Sequence, residues 1–541
     1  MTRSPVWAGV RAVLSSSLTL GFLLAAPAVP GNGRLGAQVP RLTPPPPCRA
    51  SSPDPDVAAL RPRVRRGTSI AVLEFDSRVM DQEQVHLAPS LTARLRSRLA
   101  TLPGVSVESR GTIERVFAAS GGRIDSLLSV LANQYAVTGD VIPQRDRIDV
   151  TVRITPAGAA APRWERVFAY SDMSLRDIED AVATAVSDLV GARTPAPRAV
   201  LSDAAYEQLL RGDYFLARHE LGSADSARRV YEAAFEEEAR AAVAAARAAR
   251  ARGVYLERLG AANARLTDEY VLAGLAMADS ALQIDSTLAE AWTARAVLLR
   301  FRNPSSYQGV VEAHERAVAL APESADAHEA YGVSLTRLGR DAAAEQRLRR
   351  ALTLDPNRPS ALRALAELEY LRRRSGPSCA LVNAAIGADS YDPLAYSLRA
   401  RVRMQLGEFR DAFSDAETAG RMSGAPWGSA LELLVTAKGT TVDDTRLEAR
   451  RVASAKLRPG VMMTVAEGTF TSLALDAFGD RDKAFEALSR VEPLGIEFAA
   501  ALRDPGFDAM RRDARFRRVN VGERPGPEAV PQSGRSGRTR E

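Results

Sequence analysis

ADAHEAYGVSLTRLGRDAAAEQRLRRALTLDPN, residues 325–357, decides the fold. Its Ala351 belongs to a row with Ala317, Ala385 and Ala419, at a constant spacing of 34 residues. The neighbours keep phase. A very small residue stands seven positions into each unit (Ala296, Gly332, Ala366, Ala400), and a helix breaker or small polar residue stands five after each alanine (Pro322, Pro356, Ser390, Gly424). Two helices approach to about 8–10 Å only where the crossing side chains are small. Tyr331, Leu335, Leu348, Leu352 and Leu354 are then available to fill the space around the crossing.

A fixed period of this length belongs to stacked helical hairpins, and 34 residues is the tetratricopeptide period. The regular units span 289–424. In the clearest copy Gly339 marks the turn, Ala344 and Ala351 lie in the second helix and Pro356 closes it. The first copy has Trp292 at the aromatic position and a two-residue insertion near Asn303-Pro304. Residues 425–521 read as degenerate repeats: Ala453 keeps the phase, Gly479 and Ala484 suggest another hairpin, and Leu502-Arg503-Asp504-Pro505-Gly506-Phe507 through Phe516 resembles a closing segment. End repeats of such stacks are atypical because they cap them. Upstream, 200–288 reads as a degenerate helical region. Within it, the alanine- and arginine-rich run 225–253 predicts one long helix from intrinsic propensity.

Composition suits packed helices: 46% hydrophobic residues, with only 6% aromatic. Three lysines occur (Lys438, Lys456, Lys483), so arginine supplies nearly all the positive charge. The net charge of +6 comes from 72 basic and 66 acidic residues, a mixed surface that argues against a nucleic-acid footprint. The two cysteines, Cys48 in a proline-rich segment and Cys379 in a repeat helix, argue against a disulfide between them. The four histidines (His86, His219, His314, His328) match no metal-ligand spacing.

Residues 1–37 read as an export signal: Arg3 and Arg11, then an apolar run from Ala12 to Ala28, with small-residue cleavage sites after Ala28 or, preferably, Ala37. Ser15–Ser17 count against the alternative of an uncleaved anchor. Cys48 follows Pro44–Pro47 and not a small-residue lipobox, which excludes a lipid anchor. Gly31-Asn32-Gly33-Arg34-Leu35-Gly36 matches GxGxxG by letters, but lacks the strand before and the helix after that a dinucleotide site requires. Residues 38–67 read as a proline-rich linker and 522–541 as a disordered tail.

Residues 68–192 predict a compact α/β domain. Ile70–Leu73 with Phe75 forms a buried-strand run. Val85, Leu87, Leu91, Leu95 and Leu99 show helical spacing within 83–102, and Val105–Val107 is a second strand. Helices are expected over 111–119 and 124–133, strands over 134–143, 147–155 and 163–170, and a helix capped by Ser174 over 174–190. Ser69-Ile70-Ala71-Val72-Leu73-Glu74-Phe75, a helix, Leu102-Pro103-Gly104-Val105, Tyr135-Ala136-Val137-Thr138-Gly139-Asp140-Val141, Ile148–Ile154 and Trp164-Glu165-Arg166 follow in an order that resembles the TolB amino-terminal-like domain. That resemblance implies an α/β fold, often placed before tetratricopeptide repeats in bacterial proteins. The family usually has proline where Glu74 stands. It also often carries an effector domain where this chain has its export signal, so no effector chemistry is implied.

No HExxH, GxSxG or P-loop ending occurs, and the reading predicts no enzyme, cofactor or metal site. His314 reads as a packing residue. The remaining site is geometric: first helices line the concave face of a repeat stack, where peptides dock. The register assigns Thr293, Val297, Arg300, Glu329, Val333, Thr336, Arg363, Glu367, Tyr370, Arg401 and Met404 to that protein-binding groove. Tyr370 with Arg363 and Arg401 is the expected hot spot, because aromatic and arginine anchors dominate interface energy. The functional expectation is an exported, non-enzymatic adaptor for protein partners at the cell envelope, with no nucleic acid and no membrane span after signal cleavage. The alternative is a sensory module that reads a small molecule or glycan fragment through the α/β domain.

Overall fold

The computed structural model describes residues 46–49, 67–79, 81, 84–100, 102–108, 110–170, 173–191, 201–260, 264–302, 307–356, 358–491 and 495–519. The expected export signal, the GxGxxG match, most of the linker, the Asn303-Pro304 insertion and the 522–541 tail lie outside them.

Strands β1 (Thr68–Val72), β2 (Asp76–Ser77), β3 (Val105–Val107), β4 (Tyr135–Pro143), β5 (Ile148–Pro156) and β6 (Trp164–Ala169) form one sheet in the order β3-β1-β4-β5-β6, with β2 also on β4. β1 runs parallel to β3 and β4, while β4, β5 and β6 form an antiparallel meander. Parallel neighbours need crossovers, and helices α1 (Leu87–Ala100), α2 (Arg110–Ala119) and α3 (Ile124–Leu131) supply them. On one face α1 and α4 (Leu175–Val190) bury Leu91, Leu95, Ile178 and Val182 against Val72, Val137 and Val152. On the other, Ile113, Leu127 and Leu128 of α2 and α3 cover Ala71, Leu73 and Ala136. Ser174 caps α4 as the sequence predicts, and Asp177 completes the reciprocal pair by accepting from the Ser174 N–H at 3.0 Å. The two-residue β2 is too short for any periodicity to announce.

Among the described residues, the rest is a stack of eight helical hairpins: α5 (Asp203–Ala217) with α6 (Leu221–Glu237), α7 (Ala242–Leu259) with α8 (Ala264–Ile284), α9 (Ala289–Arg300) with α10 (Tyr307–Leu320), α11 (Ala325–Arg337) with α12 (Asp341–Leu354), α13 (Pro359–Leu371) with α14 (Ser375–Ala388), α15 (Pro393–Leu406) with α16 (Phe409–Ser423), α17 (Trp427–Gly439) with α18 (Asp443–Ala455), and α19 (Val465–Ala477) with α20 (Arg481–Ser489). A short helix α21 (Gly495–Ala501), two 3-10 turns and α22 (Ala514–Val519) end the described chain. The fold is therefore an α/β domain followed by an all-α tetratricopeptide-repeat solenoid.

The alanine row is fully buried, and Ala453 and Ala484 continue it into the degenerate hairpins. A Cβ on Gly332 would stand 2.6 Å from Cγ of Leu348, so α11 and α12 pack too closely there for any side chain. Gly339, Gly407 and Gly479 supply the left-handed turn residue at φ 73, 77 and 88°. At the equivalent turn of the fifth hairpin that residue is Arg373, at φ 62°, a conformation that costs an L-residue about 1 kcal/mol.

Two expectations are corrected. The single long helix over 225–253 is two helices, broken at Glu238–Ala241. Every residue at the break tolerates a helix; what breaks it is burial, since Ala244, Ala245, Ala248, Ala249 and Ala251 face neighbours all round α7, and a continuous rod could not fold back to pair with α6. The cysteines are not independent: Cys48 and Cys379 form a disulfide across 331 residues, with Cα atoms 6.0 Å apart.

The α/β domain is seated directly on the first hairpin. Leu210 of α5 joins the sheet's core cluster, and Ser90 Oγ donates to its carbonyl at 3.2 Å. Tyr206 Oη donates to the buried Glu179 carboxylate at 2.8 Å, while Arg94 Nε donates to the same hydroxyl at 3.1 Å. Burial pushes the Glu179 carboxyl upward, with Arg94 and the Tyr206 hydrogen bond opposing that shift.

If the alanine row sets the helix crossings, Ala351→Arg should lower stability to urea by about 3 kcal/mol or more, because overpacking and an unpaired buried charge add. Ala343→Arg, on the exposed face of the same helix, should change it by less than about 0.5 kcal/mol.

Candidate protein-binding groove

Residues from successive first helices converge on one strip of chain, Gly495–Arg512, which shows that these helices share a concave face. Arg300 (α9) donates through Nε to Glu497 Oε1 at 2.6 Å and also pairs with Glu257 of α7. Arg337 (α11) lies 3.8 Å from Glu497 and forks onto Glu367 of α13 at 2.8 and 3.1 Å. Tyr370 Oη donates to Asp504 Oδ1 at 2.9 Å, and Arg401 of α15 donates to Oδ2 of the same carboxylate at 3.0 Å. Arg503 reaches the Thr336 carbonyl at 2.6 Å and Asp341 at 2.6 Å, and the strained Arg373 forks onto Asp508. Apolar anchors complete the seat: Ile496, Phe498, Leu502, Phe507 and Met510 are all buried.

The groove is thus filled, over its middle, by the chain's own C-terminal segment. Among the expected groove residues, Arg300, Thr336, Glu367, Tyr370 and Arg401 are brought together under it. Tyr370 is only 3% exposed and Arg300 only 1%. The expected hot spot does not stand open: Tyr370 and Arg401 share Asp504, and Arg363 pairs instead with Asp392 at 2.8 Å. Val297 packs beside Gly253 of α7, Val333 and Met404 back the hydrophobic core, and Thr293 bonds its own helix through the Ala289 carbonyl. Glu329 pairs with Arg358. A cleft of about 360 Å³ remains beside the segment, between Tyr370, Arg401, Met404, Leu434, Lys438 and Leu473.

The stack also turns back on itself. The Trp427 indole donates to the Arg258 carbonyl at 3.0 Å, and Ala466 N–H donates to the Gly260 carbonyl at 3.2 Å, joining the second hairpin to the seventh and eighth.

A second row of charges leaves the segment untouched. Asp213 pairs with Arg247 at 2.7 Å and Arg247 with Glu290 at 3.4 Å; Arg250 lies 4.0 Å from Glu290 and 3.6 Å from Asp326, and Arg358 joins Asp326 to Glu329. This ladder crosses five successive hairpins. Arg250 and Asp326 keep 45% and 57% of their side-chain surface in solvent, although the surrounding helices wall them in.

Electrostatics follow from these pairings. Burial alone would raise the Glu367 carboxyl, but Arg337, Arg401 and Arg363 outweigh it and hold it at about 2. His314 is completely buried, stacked on Tyr331 at 5.1 Å and bonded to Ser334 Oγ at 2.8 Å. Burial, then the nearby Arg300 charge, lowers it to about 3, so it is a neutral packing residue. Among the described residues no group of His, Cys, Asp and Glu is arranged to hold a metal ion. No described helix is long and apolar enough to cross a membrane.

The chain shows structural likeness to yeast Tom70 (14% identity, TM-score 0.35, covering 61% of this chain and 70% of that one). It is also similar to TTC0263, a thermophilic TPR protein of Thermus thermophilus (21%, TM-score 0.30, 37% and 98%), and to PilW, a type IV pilus biogenesis factor (21%, TM-score 0.31, 36% and 90%). At these identities and superposition scores the likeness carries nothing about what the chain binds. No protein-family model and no curated protein matches the sequence.

Glu367 gives the buried network a pH signature. Its folded pKa lies below its unfolded one, so its contribution is present above about pH 4.5 and is lost as pH falls toward about 2. Between pH 5 and pH 3 the stability difference between wild type and Glu367→Gln, read from urea unfolding, should shrink by about 2 kcal/mol. A difference independent of pH would contradict the pairing.

Proposed function

We propose that the protein is an exported, non-enzymatic scaffold that holds protein partners on the open part of its concave face. The observation that carries this reading is the ladder from Asp213 to Arg358, in which Arg250 and Asp326 keep about half of their side-chain surface in solvent while the middle of the groove is taken up internally. Exposed ion pairs contribute little to stability, typically about 0–1 kcal/mol. A ladder of them along a concave wall is better suited to orienting a partner of complementary charge, since such patterns set specificity and encounter rate. Thr293, one turn from Glu290, together with Glu329 and Arg363, belongs to this part of the site.

The disulfide supports export, because such bonds persist in oxidising compartments and are rare in the cytosol. The order of strands and helices over 68–192 supports reading that domain as TolB amino-terminal-like; its role here is to brace the first hairpin through Glu179, Arg94 and Tyr206.

Affinity capture from envelope extracts tests the surface. Partners held by wild type and by Arg451→Glu, a change at a residue three-quarters exposed, should be lost with Arg250→Glu/Arg358→Glu. An unchanged partner set in the double variant would exclude the ladder as the docking surface.

A further inference from the structure

The face that carries Cys379 is more than one half of a disulfide. Asn383, one turn along α14, brackets the backbone of Cys48: its Oδ1 accepts the Cys48 N–H at 3.3 Å and its Nδ2 donates to the Cys48 carbonyl at 3.1 Å. Glu408, at the start of α16, accepts the Arg49 N–H at 3.3 Å. The amide of Asn383 is oriented by Arg399, whose Nη1 donates to the same Oδ1 at 3.2 Å. Arg399 is in turn fixed by two hydrogen bonds to Asp415, at 2.9 and 2.8 Å, and Arg403 donates to that carboxylate at 2.5 Å. Arg399, Arg403 and Asp415 are buried, and Glu408 lies 3.6 Å from Arg403. All of these groups belong to the fifth and sixth hairpins, and their mutual bonds do not involve residues 47–49.

We propose that Asn383, Arg399 and Glu408 form a preformed clamp for an extended peptide backbone, that its resident ligand is the chain's own Pro47–Arg49 strap, and that the disulfide seals a docking the clamp has already made. The clamp satisfies three main-chain groups, while the Cys48 side chain fills a buried slot, so the ligand it selects is an extended segment with a small thiol side chain. Pro47 restricts the backbone just ahead of that side chain and lowers the ordering cost of docking. Docking also raises the effective concentration of one thiol at the other. In the sealing step the two thiols give two electrons and two protons to a disulfide oxidant, here oxidised glutathione. A mixed disulfide forms and is displaced by the second cysteine thiolate, and two glutathione thiols leave. Once reduced, the strap is held by the clamp alone.

Equilibration of the full chain in glutathione buffers, with thiols counted after alkylation, tests this order. Asn383→Ala and, separately, Glu408→Ala should require a more oxidising buffer than wild type. The shift for Asn383→Ala should be about tenfold in the ratio of squared glutathione to glutathione disulfide, as expected when a pair of hydrogen bonds is lost. In a Cys48→Ser background, where no disulfide can form, trypsin should cut after Arg49 several-fold faster when Asn383→Ala is added. Midpoints and cleavage rates within twofold of their parents for both clamp variants would overturn the proposal and leave the strap held by the disulfide alone.

Discussion

The closeness with which paired helices can approach at Ala317, Ala351, Ala385 and Ala419 sets everything else in the array. Each of these alanines is fully buried at its crossing, and at Gly332 there is no room even for a Cβ. Close crossings repeated every 34 residues bring the first helices to face one another across a narrow hollow. The chain's own residues 495–512 fill the middle of that hollow. Ile496, Phe498 and Leu502 provide the apolar contact, and Glu497 and Asp504 neutralise the arginines that face inward.

This closure changes what arginine means in the groove. On an open concave face Arg300, Arg337 and Arg401 would be docking anchors. With carboxylates supplied by the same chain they become internal struts, tied to Glu257, Glu367, Glu497 and Asp504. Arg373 shows the same logic in backbone form: it adopts the left-handed conformation that glycine takes in the neighbouring turns, and its guanidinium holds Asp508. The ladder from Asp213 to Arg358 lies outside this closure, and its Arg250 and Asp326 are paired yet about half exposed.

The period made the stack legible, because small residues at fixed spacing have one physical explanation. The same period sets the spacing of the expected groove residues: Thr336, Tyr370 and Met404 are 34 apart, and Glu329 and Arg363 likewise. The α/β domain was readable from its strand runs and the Ser174 cap. Three features were not. The break at Glu238–Ala241 lies in residues that all tolerate helix, so only tertiary packing sets it. The segment that covers Tyr370 lies more than 100 residues downstream, outside any repeat, and its Asp504 is one carboxylate among many. The pairing of Cys48 with Cys379 depends on where the fifth hairpin meets the strap, which linear spacing does not encode.

Residues 495–512 close the middle of the concave face. Hydrogen exchange followed by mass spectrometry on the full oxidised chain tests it most directly. The account requires amides of 495–512 to be protected to the same degree as those of Ala325–Arg337 and Pro359–Leu371, the helices they lie against. Exchange of that segment within seconds, while the two helices stay protected, would mean that the groove stands open and the network through Glu497 and Asp504 does not hold.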